Sequence, residues 1–212
     1  MDGQTIYVPR EDLDKIRAVN DQLTEETGLT IEETVYSKMC VRDVNNYIGV
    51  YSDNSPENEH IKLKGDYEIY KEYHKDPSMR IVPLAVKNYF VYNIPIRDTI
   101  LSCNDIFDFC LRLKVNSLSD AMYKTIKKNN EIVEEKLNRT TRYYISTDGG
   151  IIYKQFKDGR KIGVNIGYAS TIFNKYIEKP ITEYNINYKF YIASARKLVD
   201  AIETKQLNLF DI

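Results

Sequence analysis

An α+β fold is the class this chain predicts, on three observations. Apolar and polar residues alternate through much of 29–64 and again across 141–166; between these stretches, and near the C-terminal end, apolar residues recur at three- to four-residue spacing; and the two textures lie in separate blocks rather than in regular βα alternation. With 212 residues, 42% hydrophobic and 29% charged, the chain can bury a core in one or two domains.

Taken in order, Thr5-Ile6-Tyr7-Val8 is a β-branched and aromatic run ended by Pro9, and predicts a strand. A helix follows: Asp12 can cap it, Leu13, Ile16, Val19 or Asn20, and Leu23 recur at three- to four-residue spacing, and Gly28 stands where a left-handed C-terminal residue is wanted. The alternation over 29–51 predicts one long strand or a hairpin. The polar stretch 52–59, with Pro56, predicts a turn, and His60-Ile61-Lys62-Leu63-Lys64-Gly65 a returning strand. Val82, Ala85, Val86, Tyr89 and Phe90 predict a helix, Pro95 opens another, and Ile106, Phe109, Cys110 and Leu113 extend the helical spacing. Residues 141–156 predict a hairpin turning at Asp148-Gly149-Gly150, and 162–166 a further strand. Tyr188, Tyr191, Ile192, Ala195, Leu198, Val199 and Ile202 mark an amphipathic helix, behind which Gln206-Leu207-Asn208-Leu209-Phe210-Asp211-Ile212 predicts an exposed tail.

Composition excludes several classes. No apolar run approaches the roughly 20 residues of a membrane span, and the N-terminal residues carry no signal-peptide pattern, so a cytoplasmic protein without a membrane partner is expected. Cys40, Cys103 and Cys110 form no CxxC pair and are read as small core residues, with no metal site. The two histidines, His60 and His74, are not spaced as ligands, and there is no phosphate-binding glycine loop or nucleophile elbow. The formal net charge is −1, but the charge is unevenly spread. Residues 1–36 hold nine acidic side chains against Arg10, Lys15 and Arg17, while 136–161 holds Lys136, Arg139, Arg142, Lys154, Lys157, Arg160 and Lys161 against Asp148 and Asp158. Two readings of that basic block stand: a phosphate-binding face, or a solvated hairpin with lysines at its edge. Eighteen tyrosines and no tryptophan fit either core filling or stacking near a basic groove, with Tyr47, Tyr143 and Tyr144 best placed for the latter by their neighbours.

The series Val41-Arg42-Asp43-Val44-Asn45-Asn46-Tyr47-Ile48-Gly49-Val50-Tyr51, then Lys62-Leu63-Lys64-Gly65, then Thr140-Thr141-Arg142-Tyr143-Tyr144-Ile145-Ser146 with Gly149-Gly150, resembles the C-terminal palm and thumb of phage-type family B DNA polymerases. Asn45-Asn46-Tyr47-Ile48-Gly49 takes the place of the family's Lys-Arg-Tyr-x-Gly primer-gripping segment, keeping its tyrosine and glycine without its two cations. His74-Lys75-Asp76-Pro77-Ser78 and Asp105-Ile106-Phe107-Asp108-Phe109 belong to the same resemblance. It implies a partial palm (an antiparallel sheet with a packed helix) over 1–75, a mainly helical thumb with a β-hairpin over 76–203, and a tail over 204–212. It implies DNA contacts at Asn45, Asn46, Tyr47, Lys62, Lys64, Arg139, Arg142, Tyr143 and Lys154, and allows Asp2 as a remnant of the second carboxylate motif. The other metal-binding carboxylates, the fingers and the exonuclease lie upstream in the family, so an upstream polymerase fragment is an expected partner. Nucleotidyl transfer is then an activity of the assembled polymerase with magnesium, with no cofactor on this chain. Gln206-Leu207-Asn208-Leu209-Phe210 resembles the bacterial sliding-clamp-binding pentapeptide, implying anchors at Leu207, Leu209 and Phe210, a polar contact at Gln206 and roughly micromolar affinity. The expected function is therefore primer–template gripping in DNA replication in a phage-infected bacterial host. The alternative is a non-polymerase, clamp-associated DNA-binding adaptor or repair module.

Overall fold

A computed structural model describes residues 5–52, 60–69, 78–115, 119–128, 131–165 and 167–210. The turn expected within 52–59, the segment around His74 and Asp2 lie wholly or largely outside the described residues. Among the described residues the protein is mixed α and β, with four α-helices and three antiparallel sheets.

The N-terminal arm departs from expectation. Residues 5–9 are irregular, because no neighbouring strand offers them a ladder among the described residues, and a four-residue run has no stability without one. Helix α1 (Leu13–Thr27) follows a short 3-10 turn and ends at Gly28, left-handed at φ 70°, whose N–H donates to the Thr24 carbonyl. Asp12 holds the N-cap position but its carboxylate accepts from Lys15 Nζ instead of a backbone N–H. None of the helix's residues is buried, and Val19 and Leu23 remain exposed. The packed palm helix is thus corrected to one held by an exposed Arg17–Glu33 ion pair (2.8 Å).

Strands β1 (Tyr36–Asp43), β2 (Asn46–Tyr51) and β3 (Ile61–Lys64) form the first sheet, in that order, so the 29–51 stretch resolves as a hairpin with a returning third strand. Cys40 and Ile48, partners in register, turn inward. Helices α2 (Ile81–Tyr92) and α3 (Ile96–Ser102) follow, the second opening directly after Pro95 as its spacing predicts. Past them the expected helical thumb is corrected. Ile106–Phe109 is a 3-10 turn, and Cys110 and Leu113, set at helical spacing, lead into and lie in a strand, β4 (Leu111–Lys114). Six more strands follow: β5 (Ser119–Lys128), β6 (Glu131–Leu137), β7 (Thr140–Gly150), β8 (Ile152–Phe156), β9 (Lys161–Val164) and β10 (Ser170–Ile172). They form a three-stranded sheet, β10-β7-β4, and a four-stranded one, β6-β5-β8-β9.

The expected 141–156 hairpin does not form. β7 and β8 are consecutive in the chain but belong to different sheets, and Gly149-Gly150 marks where the chain passes between them. A Cβ on Gly150 would run into the Thr125 carbonyl oxygen of β5, and one on Gly149 into that of Ser170 of β10, so close packing rather than a turn requires glycine there. Ile151 is pinned to Thr125 from both sides: its N–H donates to Thr125 Oγ1 (3.0 Å) and its carbonyl accepts from Thr125 N (2.9 Å).

Helix α4 (Tyr188–Phe210) closes the core. Tyr191, Ala195, Val199 and Ile202 are fully buried at i, i+4, i+8 and i+11, a stripe that packs on α2, α3 and β1. One apolar cluster therefore crosses the expected boundary at 75/76, joining Cys40, Ile48 and Tyr67 to Val86, Phe90 and Val199. Polar ties follow the same route: Tyr67 Oη donates to the Leu198 carbonyl (3.3 Å), and Lys38 Nζ to the Phe90 carbonyl (2.6 Å).

Of the three cysteines, Cys40 and Cys110 are buried as expected, while Cys103 is only half-buried and donates weakly to Asp105 O and Asp108 Oδ2. Burial pushes the Cys103 thiol up to about 11 and that of Cys110 up to about 12. At pH 8 the native chain is therefore expected to react slowly with an aromatic disulfide reagent, and all three thiols rapidly in denaturant. A fast native phase of one equivalent would contradict this.

Candidate nucleic-acid interface

Two of the segments singled out in the sequence come together in the first sheet. β2 and β3 pair so that Tyr47 faces Lys64 and Gly49 faces Lys62, which sets these residues on the sheet face opposite the inward Ile48 and Leu63. Lys62 and Lys64 are exposed and have no ion pair among the described residues; the Lys64 ammonium lies 5.9 Å from the Tyr47 ring centroid. The same face carries Tyr36 and Tyr51, stacked at 5.0 Å and 18°. Gly49 is where it is because of that pair, since a Cβ there would come 2.6 Å from Tyr36 Cε1. The result is a surface with two ammonium groups beside an aromatic ring, suited to a phosphate backbone and neutral toward base identity.

At the end of this face the Val44-Asn45 turn is held by Asp43. Its carboxylate accepts from Asn46 Nδ2 (2.7 Å), from Arg42 Nε (3.0 Å) and from Asn45 N (3.0 Å), and these hydrogen bonds, Asn46's first, hold its carboxyl down to about 2. Asn46 Oδ1 in turn accepts from Asp66 N (2.9 Å), so both ends of that amide order the turn. Asn46 is half-buried in that position, and Asn45 is exposed at the tip. Arg42 is neutralised by Asp43 and Asp66.

The C-terminal basic block does not converge on one surface. Register puts Lys136 on the Tyr123 and Tyr153 face of the four-stranded sheet, and Lys154 on the opposite, Met122 face. Arg160 pairs with Asp158 (2.6 Å) and Lys161 with Glu134 (2.9 Å). Arg139 is exposed in the β6–β7 connection. Arg142 is half-buried and sits directly opposite Arg112 of β4, a cation that the sequence concealed within a stretch of helical spacing. Tyr143 is 3% exposed and its hydroxyl accepts from Asn165 Nδ2 (2.7 Å); Tyr144 is buried too. Both are core residues, and the DNA contact expected at Tyr143 is corrected accordingly: an aromatic beside an arginine on one strand faces the other way from it.

The pentapeptide is also differently placed. The backbone of Gln206, Leu207, Leu209 and Phe210 continues α4 as helix where an extended tail was expected; their side chains, and residues 211–212, lie outside the described residues. Among the described residues no group of three or more His, Cys, Asp or Glu is placed so that it could hold a metal ion. No helix among them is long and apolar enough to cross a membrane. No protein-family model, curated protein or solved structure matches the chain significantly.

Proposed function

We propose that the chain is the primer–template-gripping, palm and thumb part of a phage-type family B DNA polymerase, tethered to a sliding clamp and completed by a polypeptide that carries the metal-binding carboxylates. The observation that carries this reading is the β2–β3 pairing. The two segments behind the resemblance, Asn45-Asn46-Tyr47-Ile48-Gly49 and Lys62-Leu63-Lys64-Gly65, are antiparallel partners with Tyr47, Lys62 and Lys64 on one exposed side. Such a surface contributes positioning, through phosphate contacts, and leaves the chemistry to the partner.

The test is equilibrium binding of a fluorescein-labelled primer–template. Lys62→Glu with Lys64→Glu is expected to weaken binding on the order of a hundredfold at low salt and to flatten the salt dependence by about two phosphate contacts, equally on every sequence. Unchanged affinity would remove this face from the site.

The clamp-associated adaptor keeps one observation in its favour: α1 buries nothing on the sheet, where a palm has its helix packed. Mixing the chain with an upstream polymerase fragment separates the two. Stimulated primer extension supports the polymerase reading, and DNA and clamp binding without stimulation supports the adaptor.

A further inference from the structure

The β10-β7-β4 sheet carries a second site. Arg112 and Arg142, opposite each other on β4 and β7, line a cleft of about 340 Å³ together with Phe107, Phe173, Asn174 and Tyr176. That volume lies at the lower end of the roughly 300–1,000 Å³ of small-ligand sites. The two kinds of lining group are separate in chemistry and adjacent in space. The arginines bring two guanidinium groups, each planar and built to meet a phosphate in two-pronged fashion, to one wall of the cleft. The aromatic wall consists of Phe107 and Tyr176, nearly parallel at 13° with centroids 5.9 Å apart, braced edge-on by Phe173 at 5.3 Å from Phe107. Tyr176 is 62% exposed, a large ring kept mostly in water beside two cations. Asn174 spends its Oδ1 on the Arg142 backbone N–H (2.9 Å), which fixes the amide's orientation and leaves its NH2 as the donor for a ligand.

A ligand that satisfies all of these groups has a phosphate, a flat π-face and a hydrogen-bond acceptor on that flat part. We propose that the cleft holds one unpaired nucleotide of a single DNA strand, its phosphate on Arg112 and Arg142 and its base against Tyr176 and Phe107. The choice of ligand rests on the DNA-binding reading above, but the site is distinct from the Tyr47–Lys64 face: the two lie on different sheets. Stacking tolerates any base, so the cleft selects for an unpaired strand rather than for a sequence. A template overhang next to a gripped duplex presents such a nucleotide.

Fluorescence anisotropy of a labelled octathymidylate tests this with two mild variants of the full chain. Tyr176→Ala removes a largely exposed ring, and Arg112→Gln keeps the stem while removing the charge. Each is expected to weaken octathymidylate binding about tenfold, and Arg112→Gln alone to lower the salt slope by about one. Both should leave blunt duplex binding as in the wild type, and Tyr176→Ala, on a largely exposed ring, should leave the melting temperature there too. Lys62→Glu with Lys64→Glu should show the reverse pattern. Octathymidylate affinity unchanged in both cleft variants would overturn the proposal, and would leave the duplex-gripping reading standing if the lysine variant still loses duplex. Free thymidine monophosphate binding as tightly as the octamer would also overturn it, making the cleft a mononucleotide pocket.

Discussion

Replacing Tyr191 by phenylalanine is expected to destabilise the protein by about 2–6 kcal/mol, although it deletes one oxygen atom. The Tyr191 hydroxyl is fully buried; it accepts from the Ile145 N–H of β7 and donates to the Phe109 carbonyl, both at 2.8 Å. It is a side-chain substitute for a backbone hydrogen bond that neither β7 nor the 3-10 turn before β4 can make there. Phenylalanine fills the same space and leaves a buried donor and a buried acceptor unmatched, at about 1–3 kcal/mol for each. In a chain of this size the melting temperature should fall by roughly 4–24 °C, and the urea midpoint should fall with the slope unchanged. Tyr176→Phe, on the exposed ring of the cleft, is the control and should stay within about 0.5 kcal/mol of wild type. A Tyr191→Phe loss as small as the control's would mean that water or a backbone shift restores both partners.

The second large effect concerns the tail. With Leu209 and Phe210 both changed to alanine, affinity for a bacterial sliding clamp should fall at least a hundredfold, since two hot-spot anchors of about 2 kcal/mol or more are lost. The helical backbone over 206–210 sharpens this expectation. A clamp groove takes an extended peptide, so the last turns of α4 must unwind first, and the free peptide 204–212 should bind at least as tightly as the intact chain. Terminal turns of a helix fray readily, so this unwinding is expected to cost little. Clamp affinity preserved in the double variant, with a lowered melting temperature, would make these residues part of the fold.

How much of this was legible depended on whether a residue's local signal matched its long-range partners. Gly28, Pro95 and the 191/195/199/202 stripe were readable because cap chemistry and helical spacing are local properties, and the structure satisfies them locally. The pairing of Tyr47 with Lys64 was implied by two alternating runs separated by a polar turn. Gly149-Gly150 misled because glycine needed for close packing cannot be told in sequence from glycine needed for a turn; the carbonyls of Thr125 and Ser170 that demand it lie some 20 residues away on either side. Ile106, Phe109, Cys110 and Leu113 have helical spacing, yet pairing of Leu111 with Tyr143 and Leu113 with Thr141 draws the second half into a strand, a case of tertiary context overriding pattern. Arg112 was hidden by that same misreading, and the cleft with it.

The buried cluster that joins β1 and β2 to α4 has a consequence for synthesis. Tyr67 is fully buried, and the carbonyl its hydroxyl reaches belongs to Leu198, 131 residues further along the chain. A ribosome adds roughly 5–20 residues each second, so the first sheet emerges many seconds before the helix that covers its inner face. During that interval Cys40, Ile48 and Tyr67 have α2 but still lack Val199 and the Leu198 carbonyl, so the sheet's inner face is only partly covered. Cutting the gene near residue 75 should accordingly give an insoluble N-terminal piece, and the order of emergence makes the C-terminal helix the step that commits both halves to one cooperative fold.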